Sequence, residues 1–197
     1  MYTVGVDTSH QFLLLALLKD DRLVEGVQLD CFKHQSEYLI PVIKKLLERH
    51  HLEAKDIDSF VVAEGPGSYT GVRIGMTMAK VLGSLMNKDV YTLSTLQLYA
   101  GLEDCYVIMD ARARRVYVGR YKDGKALMED TVYPNDRMQE IIDSGENVIG
   151  DLHIFGKEDI YGDLAQHFAD LRSFWKKVSN VDLLTPKYLK SSEEYLK

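Results

Sequence analysis

Seven apolar residues in succession, Phe12-Leu13-Leu14-Leu15-Ala16-Leu17-Leu18, set the first constraint on this chain. The run is far shorter than the ~20 residues that cross a bilayer. A strand with no polar side has to be covered on both faces. It lies between two other short apolar segments, Tyr2 to Val6 and Leu23 to Leu29, with Lys19-Asp20-Asp21-Arg22 as a tight turn. The pattern predicts three consecutive strands, the second from Gln11 to Leu18 and central in its sheet.

From Ser36 the period changes. Leu39, Ile43, Leu46, Leu47 and His50 follow helical spacing, with Pro41 near the first turns, where a bend or an irregular start is expected. Further along, the pattern predicts strands at Ile57–Ala63 and Val90–Leu93 and helices at Gly71–Met86 and Thr95–Ala100. A softer division follows near residue 101, giving a first unit 1–101 and a second 102–197. The second unit reads as strands at Cys105–Met109 and Arg115–Tyr121, a helix at Asp136–Asp143, a strand at Asn147–Ile149, a helix at Ile160–Phe168 and a polar tail from Asp182 to Lys197. No sequence repeat stands out. Three meandering strands and then helix–strand alternation predict an α/β fold with a mixed sheet under helices.

Three motifs invite chemistry, and each has a plainer reading. Gly65-Pro66-Gly67-Ser68-Tyr69-Thr70-Gly71 enters a helix, where backbone N–H groups and the helix dipole suit an anion. It is equally a sharp turn with Ser68 or Thr70 as N-cap, and it matches neither the P-loop nor G-x-G-x-x-G. Asp7-Thr8-Ser9, after the first strand, would orient a metal-bound phosphate or simply cap a turn. Gly71, Gly75, Ala79 and Gly83 place small side chains every four residues, beside Val72, Met76, Leu82 and Met86. Interior glycines cost a helix about 1 kcal/mol each relative to alanine, so the row implies close approach of its own sheet or of a second chain. Arg112, Arg114, Arg115 and Arg120 form a basic cluster, read as a solvated face or a contact for anions.

The bulk properties narrow the classes. A net charge of −6 argues against independent RNA binding, which has to neutralise phosphates. Cys31 and Cys105 are too few for a disulfide framework or a cysteine zinc site. None of the six histidines has a metal-ligand spacing, and no catalytic triad can be assigned. The first residues show no secretory leader, so a soluble, cytoplasmic protein is expected.

Val4-Gly5-Val6-Asp7-Thr8-Ser9, the stretch Gly65 to Gly75, Asp110-Ala111-Arg112 with Val116-Tyr117, and Thr185-Pro186-Lys187-Tyr188-Leu189 together resemble the TsaB (YeaZ) family. The likeness is good over about residues 2 to 120 and looser beyond. It implies the fold of the actin, hexokinase and Hsp70 ATPase superfamily in two related mixed-sheet lobes, the second reduced. It also implies a non-catalytic subunit that pairs with TsaD and TsaE and forms homodimers when alone. That complex makes threonylcarbamoyladenosine beside the anticodon of tRNAs reading codons that begin with A, and it engages tRNA only as an assembly. Catalytic TsaD-type subunits hold a metal with two histidines after the strand that follows the glycine-loop helix. Here that place reads Leu93-Ser94-Thr95-Leu96-Gln97-Leu98-Tyr99-Ala100, without histidine. No catalytic residue, metal or cofactor is therefore expected, beyond weak ATP or ADP at a partner junction. The resemblance further suggests that Val72, Gly75, Met76, Ala79, Leu82 and Gly83 form the subunit interface. Asp7, Thr8, Ser9, Gly65, Gly67 and Ser68 would then be a vestigial phosphate loop. The rival readings are a metal-dependent glycoprotease and a sugar- or acetate-kinase-like ATPase of the same superfamily.

Overall fold

The computed structural model describes residues 1–190; positions 191–197 of the polar tail lie outside the described residues. Strands β1 (Tyr2–Asp7), β2 (Phe12–Lys19) and β3 (Arg22–Asp30) form an antiparallel meander, and β2 is buried on both faces over Phe12 to Leu18. Helix α1 (Gln35–Arg49) runs continuously through Pro41 and buries Leu39, Ile43, Leu46 and Leu47. Strands β4 (Ser59–Ala63) and β5 (Asp89–Leu93) add in parallel beside β1. Between them runs α2 (Tyr69–Met86), and α3 (Thr95–Ala100) follows β5.

The same order then recurs. Strands β6 (Cys105–Asp110), β7 (Arg115–Lys122), β8 (Lys125–Ala126) and β9 (Thr131–Pro134) precede helix α4 (Asn135–Asp143) and strand β10 (Val148–Gly150). Strand β6 is antiparallel to β7 and parallel to β10, and β7 is antiparallel to β9. This repeats the β1–β2–β3–α1–β4 arrangement without any repeat of sequence. The first lobe goes on to a long helix and a fifth strand. The second instead makes a 3₁₀ turn at Leu152–Phe155 and sends α5 (Leu164–Asp170) and β11 (Lys176–Lys177) back to the first sheet. The architecture is thus α/β, with two related mixed-sheet lobes and a reduced second one. A division at 101 assigns α5 and β11 to the second unit, yet both return to the first sheet: β11 pairs with β5, and Phe168 and Ala165 lie against Gly5 and Gly26.

Helix α5 begins at Leu164, later than the expected Ile160. Ile160 is held in a β-bridge to Gly150, and the Asp163 carboxylate accepts from the Gln166 N–H as N-cap. Strand β9, which the periodicity did not reveal, is half-buried and ends at a proline, so it carries no apolar alternation.

Alternate residues of β2 feed two cores. Leu13, Leu15 and Leu17 pack with α1 and α2, whereas Phe12, Leu14, Ala16 and Leu18 pack with α3, α5, β6 and β7. The second core therefore joins the lobes. Each of these leucine and phenylalanine side chains contributes about 1.5–3 kcal/mol on burial.

The small-residue row of α2 faces this sheet. A Cβ on Gly71 would lie 2.2 Å from the Thr8 carbonyl oxygen, one on Gly75 2.9 Å from Thr8 Oγ1, and one on Gly83 2.4 Å from Val90 Cγ2. Ala79 is fully buried, and Val72 and Met76 are nearly so. The expectation that Val72, Gly75, Met76, Ala79 and Gly83 meet a partner is corrected by this packing; of the six residues named, only Leu82 is partly exposed. Ala79→Leu should accordingly destabilise the isolated chain by about 1–3 kcal/mol through overpacking, lowering the melting temperature by several degrees. Thermal unfolding checks this, and an unchanged midpoint would show that the row is not packed on the sheet.

Candidate functional site: the lobe junction and the outer face of helix α2

The two loops that the sequence singled out dock on each other. Strand β1 ends at Asp7, and the Thr8 hydroxyl donates to the Gly71 carbonyl (2.7 Å) while accepting from the Gly75 N–H (2.9 Å). The Ser68 N–H donates to the Ser9 carbonyl (2.7 Å), and a Cβ on Gly67 would stand 2.5 Å from that same oxygen. Ser68 Oγ accepts from the Gly71 N–H, so Ser68 is the N-cap of α2. The C-terminal segment crosses the other side of the loop: the Lys187 N–H donates to the Glu64 carbonyl (2.7 Å), and the Lys187 carbonyl closes on Gly65. Donors that a phosphate would need at Ser68, Gly71 and Gly75 are spent within the protein. Asp7, Thr8 and Ser9 are all buried.

Asp7 is left with one satisfied oxygen. Its Oδ1 accepts from the Ser9 N–H (2.7 Å), and Oδ2 has no hydrogen-bond partner among the described residues. Burial lifts its carboxyl above the usual carboxylate range, against the hydrogen bonds from Ser9 and the charge of His10.

Beside it a cross-lobe cluster forms that sequence reasoning missed. His10 Nε2 lies 3.0 Å from Asp151 Oδ2, which also accepts from the Asp110 N–H (2.7 Å), while the Tyr161 hydroxyl donates to Oδ1. Burial alone would raise the Asp151 carboxyl, but the bonds from His10, Tyr161 and Asp110 hold it below its ordinary value. The His10 ring meets Tyr99 edge-on at 5.7 Å, and Phe12 meets Tyr161 edge-on at 5.2 Å. Tyr99 is fully buried, and desolvation with the nearby Asp7, Tyr161 and Asp151 pushes its hydroxyl pKa well up. His10 and Asp151 are 141 positions apart, and neither belongs to a spaced motif, so only the folded chain brings them together. Leu96, Leu98, Tyr99 and Ala100 of α3, where the resemblance would place metal-binding histidines in a catalytic relative, lie in the core joining the lobes.

The basic cluster is largely paired with acids. Arg112 meets Asp110 at 2.9 Å, Arg114 meets Asp136 at 3.5 Å, and Arg120 pairs with Asp104. Arg112, Ala113 and Arg114 are successive left-handed residues (φ 62°, 52° and 56°) at the tip of the β6–β7 hairpin.

An open apolar feature lies on the far side of α2. A groove of about 540 Å³ runs between α1 and α2, lined by Ile40, Tyr69, Arg73, Ile74, Met78 and Val81 among others. Ile40, Val81 and Leu85 are 56%, 47% and 79% exposed, which makes this face apolar and accessible. Tyr188 of the C-terminal segment stacks on Tyr69 at 5.1 Å along its rim.

Asp7→Asn tests the junction. A carboxyl with a raised folded pKa favours folding while protonated; this contribution is present below the ordinary pKa and is lost as pH rises through the folded value. Asn keeps an acceptor for the Ser9 N–H without a charge to bury. The variant should melt above the wild type near about pH 7.5, and the gain should shrink as pH falls through the raised folded value and be gone by the ordinary carboxylate pKa. An equal or lower melting temperature at the higher pH would mean that the Asp7 carboxylate is ionised and compensated.

Comparison with known proteins gives a consistent picture. A family model described as "TsaD: tRNA N6-adenosine threonylcarbamoyltransferase" matches residues 30–165. The chain is 34% identical over 137 residues to the tRNA threonylcarbamoyladenosine biosynthesis protein TsaB of Bacillus subtilis, covering 67% of this chain and 60% of that one. It is 26% identical over 132 residues to the TsaB protein of Buchnera aphidicola from Schizaphis graminum, covering 64% and 62%. The chain thus spans about three fifths of the length of these curated relatives. Among solved structures, YeaZ from Pseudomonas aeruginosa aligns with a TM-score of 0.76 at 20% identity, over 95% of this chain and all of that one. A Pseudomonas aeruginosa protein described as similar to peptidase YEAZ aligns at 0.78 and 19%, over 96% and 99%. At such identities these two establish likeness of fold.

Proposed function

The chain belongs to the TsaB (YeaZ) family, and from that premise we propose that it is the non-catalytic, activating subunit of a tRNA threonylcarbamoyladenosine synthesis complex. Its partners in this reading are TsaD and TsaE, and alone it pairs with a second copy. The complex modifies the adenosine next to the anticodon in tRNAs reading codons that begin with A. The observation that carries the proposal is the contrast between a filled lobe junction and an open apolar face on α1 and α2.

A transferase or kinase working at the junction needs backbone donors and a carboxylate aimed at substrate. Here the donors hold the two loops to each other, the Asp7 carboxylate takes the Ser9 N–H of its own loop, and aromatic rings pack nearby. The outer face of α2, by contrast, offers a continuous apolar strip with one cation, Arg73, at the Tyr69–Tyr188 end. Helices with such strips pair ridge into groove at close range. A second subunit of the same fold presents a helix of the same kind, which suits both the TsaD contact and self-association. Nucleotide, if bound at all, belongs to a junction between subunits, and the acidic chain contacts tRNA only within the assembly.

The test is Val81→Glu together with Leu85→Glu. Both positions are exposed, so the variant should keep its stability to within about 0.5 kcal/mol per site. Its affinity for TsaD should fall at least tenfold, about 1.4 kcal/mol, and tRNA modification in a reconstituted mixture should fall with it. Undiminished pairing by the folded variant would refute α2's outer face as the contact. Modification at full rate without this chain would refute the activating role.

A further inference from the structure

Beyond the junction, residues 150–161 make a closed loop. Gly150 and Ile160 exchange backbone hydrogen bonds of 2.9 and 3.2 Å at its base. Asp151 lies at one end, and its carboxylate is fixed by His10, Tyr161 and the Asp110 N–H. Asp159 lies near the other end. The His153 N–H donates to Asp159 Oδ1 (2.8 Å), and His153 Nδ1 is 2.9 Å from both Asp159 oxygens. One oxygen from each aspartate and one ring nitrogen of His153 all lie within 4.8 Å of one another.

The geometry points to a site for one divalent transition-metal ion of the zinc class, held by Asp151, His153 and Asp159. Two arguments carry it. The first is composition. Two carboxylates and an imidazole converge here, and among the described residues no lysine or arginine pairs with either carboxylate. The second is organisation. Asp151 is buried and held by three donors, and Asp159 is anchored by a backbone N–H, which is the outer support that ligating carboxylates have. His153 is well exposed, so an ion can reach its ring, which gives up its contact with Asp159 to ligate it. Ligand atoms around a tetrahedral zinc stand about 3.4 Å apart, so His153 Nδ1 and the Asp159 carboxylate, now 2.9 Å apart, part slightly while staying within reach of Asp151. A mixed oxygen and imidazole set suits zinc over magnesium. This site does not depend on the pairing proposed above.

The experiment is calorimetric titration of the purified full chain with zinc chloride, repeated with magnesium chloride. One equivalent of zinc should bind, and magnesium should give no heat. His153→Ala and Asp159→Asn should each weaken zinc binding at least tenfold while keeping the metal-free melting temperature. His34→Ala, at another exposed histidine–carboxylate pair, should leave it unchanged. Absence of zinc heat in the wild type overturns the site, as does equal binding by His153→Ala and Asp159→Asn. Equal weakening by His34→Ala also overturns it, since the ion would then sit at surface imidazoles in general.

Discussion

A strand whose every side chain is apolar has to be covered twice, and β2 imposes that demand on the whole molecule. Leu13, Leu15 and Leu17 require α1 and α2 on one side; Phe12, Leu14, Ala16 and Leu18 require α3, α5 and the second sheet on the other. One helix layer would have satisfied an ordinary half-buried strand. Two-sided burial makes the second lobe and the returning C-terminal segment part of the same core. The lobes are therefore joined through side chains such as Leu14, Tyr99, Met109 and Phe168, rather than hinged about an open cleft.

Close packing at the junction follows from this. With the lobes drawn together, the loop after β1 lies directly on the start of α2, and one hydroxyl, Thr8 Oγ1, both donates to and accepts from that helix. Only glycine at 71 and 75 leaves room for the approach. The same residues that give the loop its phosphate-binding look are used to seat one piece of chain on another. The surface left over is the outer side of α2 and the groove beside α1, an apolar area that the protein's own core does not use.

Much of this was legible in the sequence. The meander, the buried β2, α1 and α2 followed from periodicity, because each has a long and regular apolar pattern. The direction of the small-residue row did not. Spacing puts Gly71, Gly75, Ala79 and Gly83 on one side of a helix but says nothing about what that side meets, and Val6, Val62 and Val90 of the sheet turn out to meet it. The internal repeat was hidden because β9 and β10 are short and the two lobes share order rather than residues. The His10–Asp151 contact and the Asp151–His153–Asp159 cluster were likewise unreadable. One depends on lobe packing across 141 positions, and the other on a loop closed by the Gly150–Ile160 bridge.

In the proposed reading this chain acts through the outside of α1 and α2 and not through its lobe junction. Hydrogen–deuterium exchange of the chain with and without TsaD reads this region by region. Added protection should fall on peptides from α1 and α2, with the Asp7–His10 and Glu64–Ser68 loops exchanging as in the free chain. Protection confined to those two loops, with α1 and α2 unchanged, would contradict the account and place the working surface inside the junction.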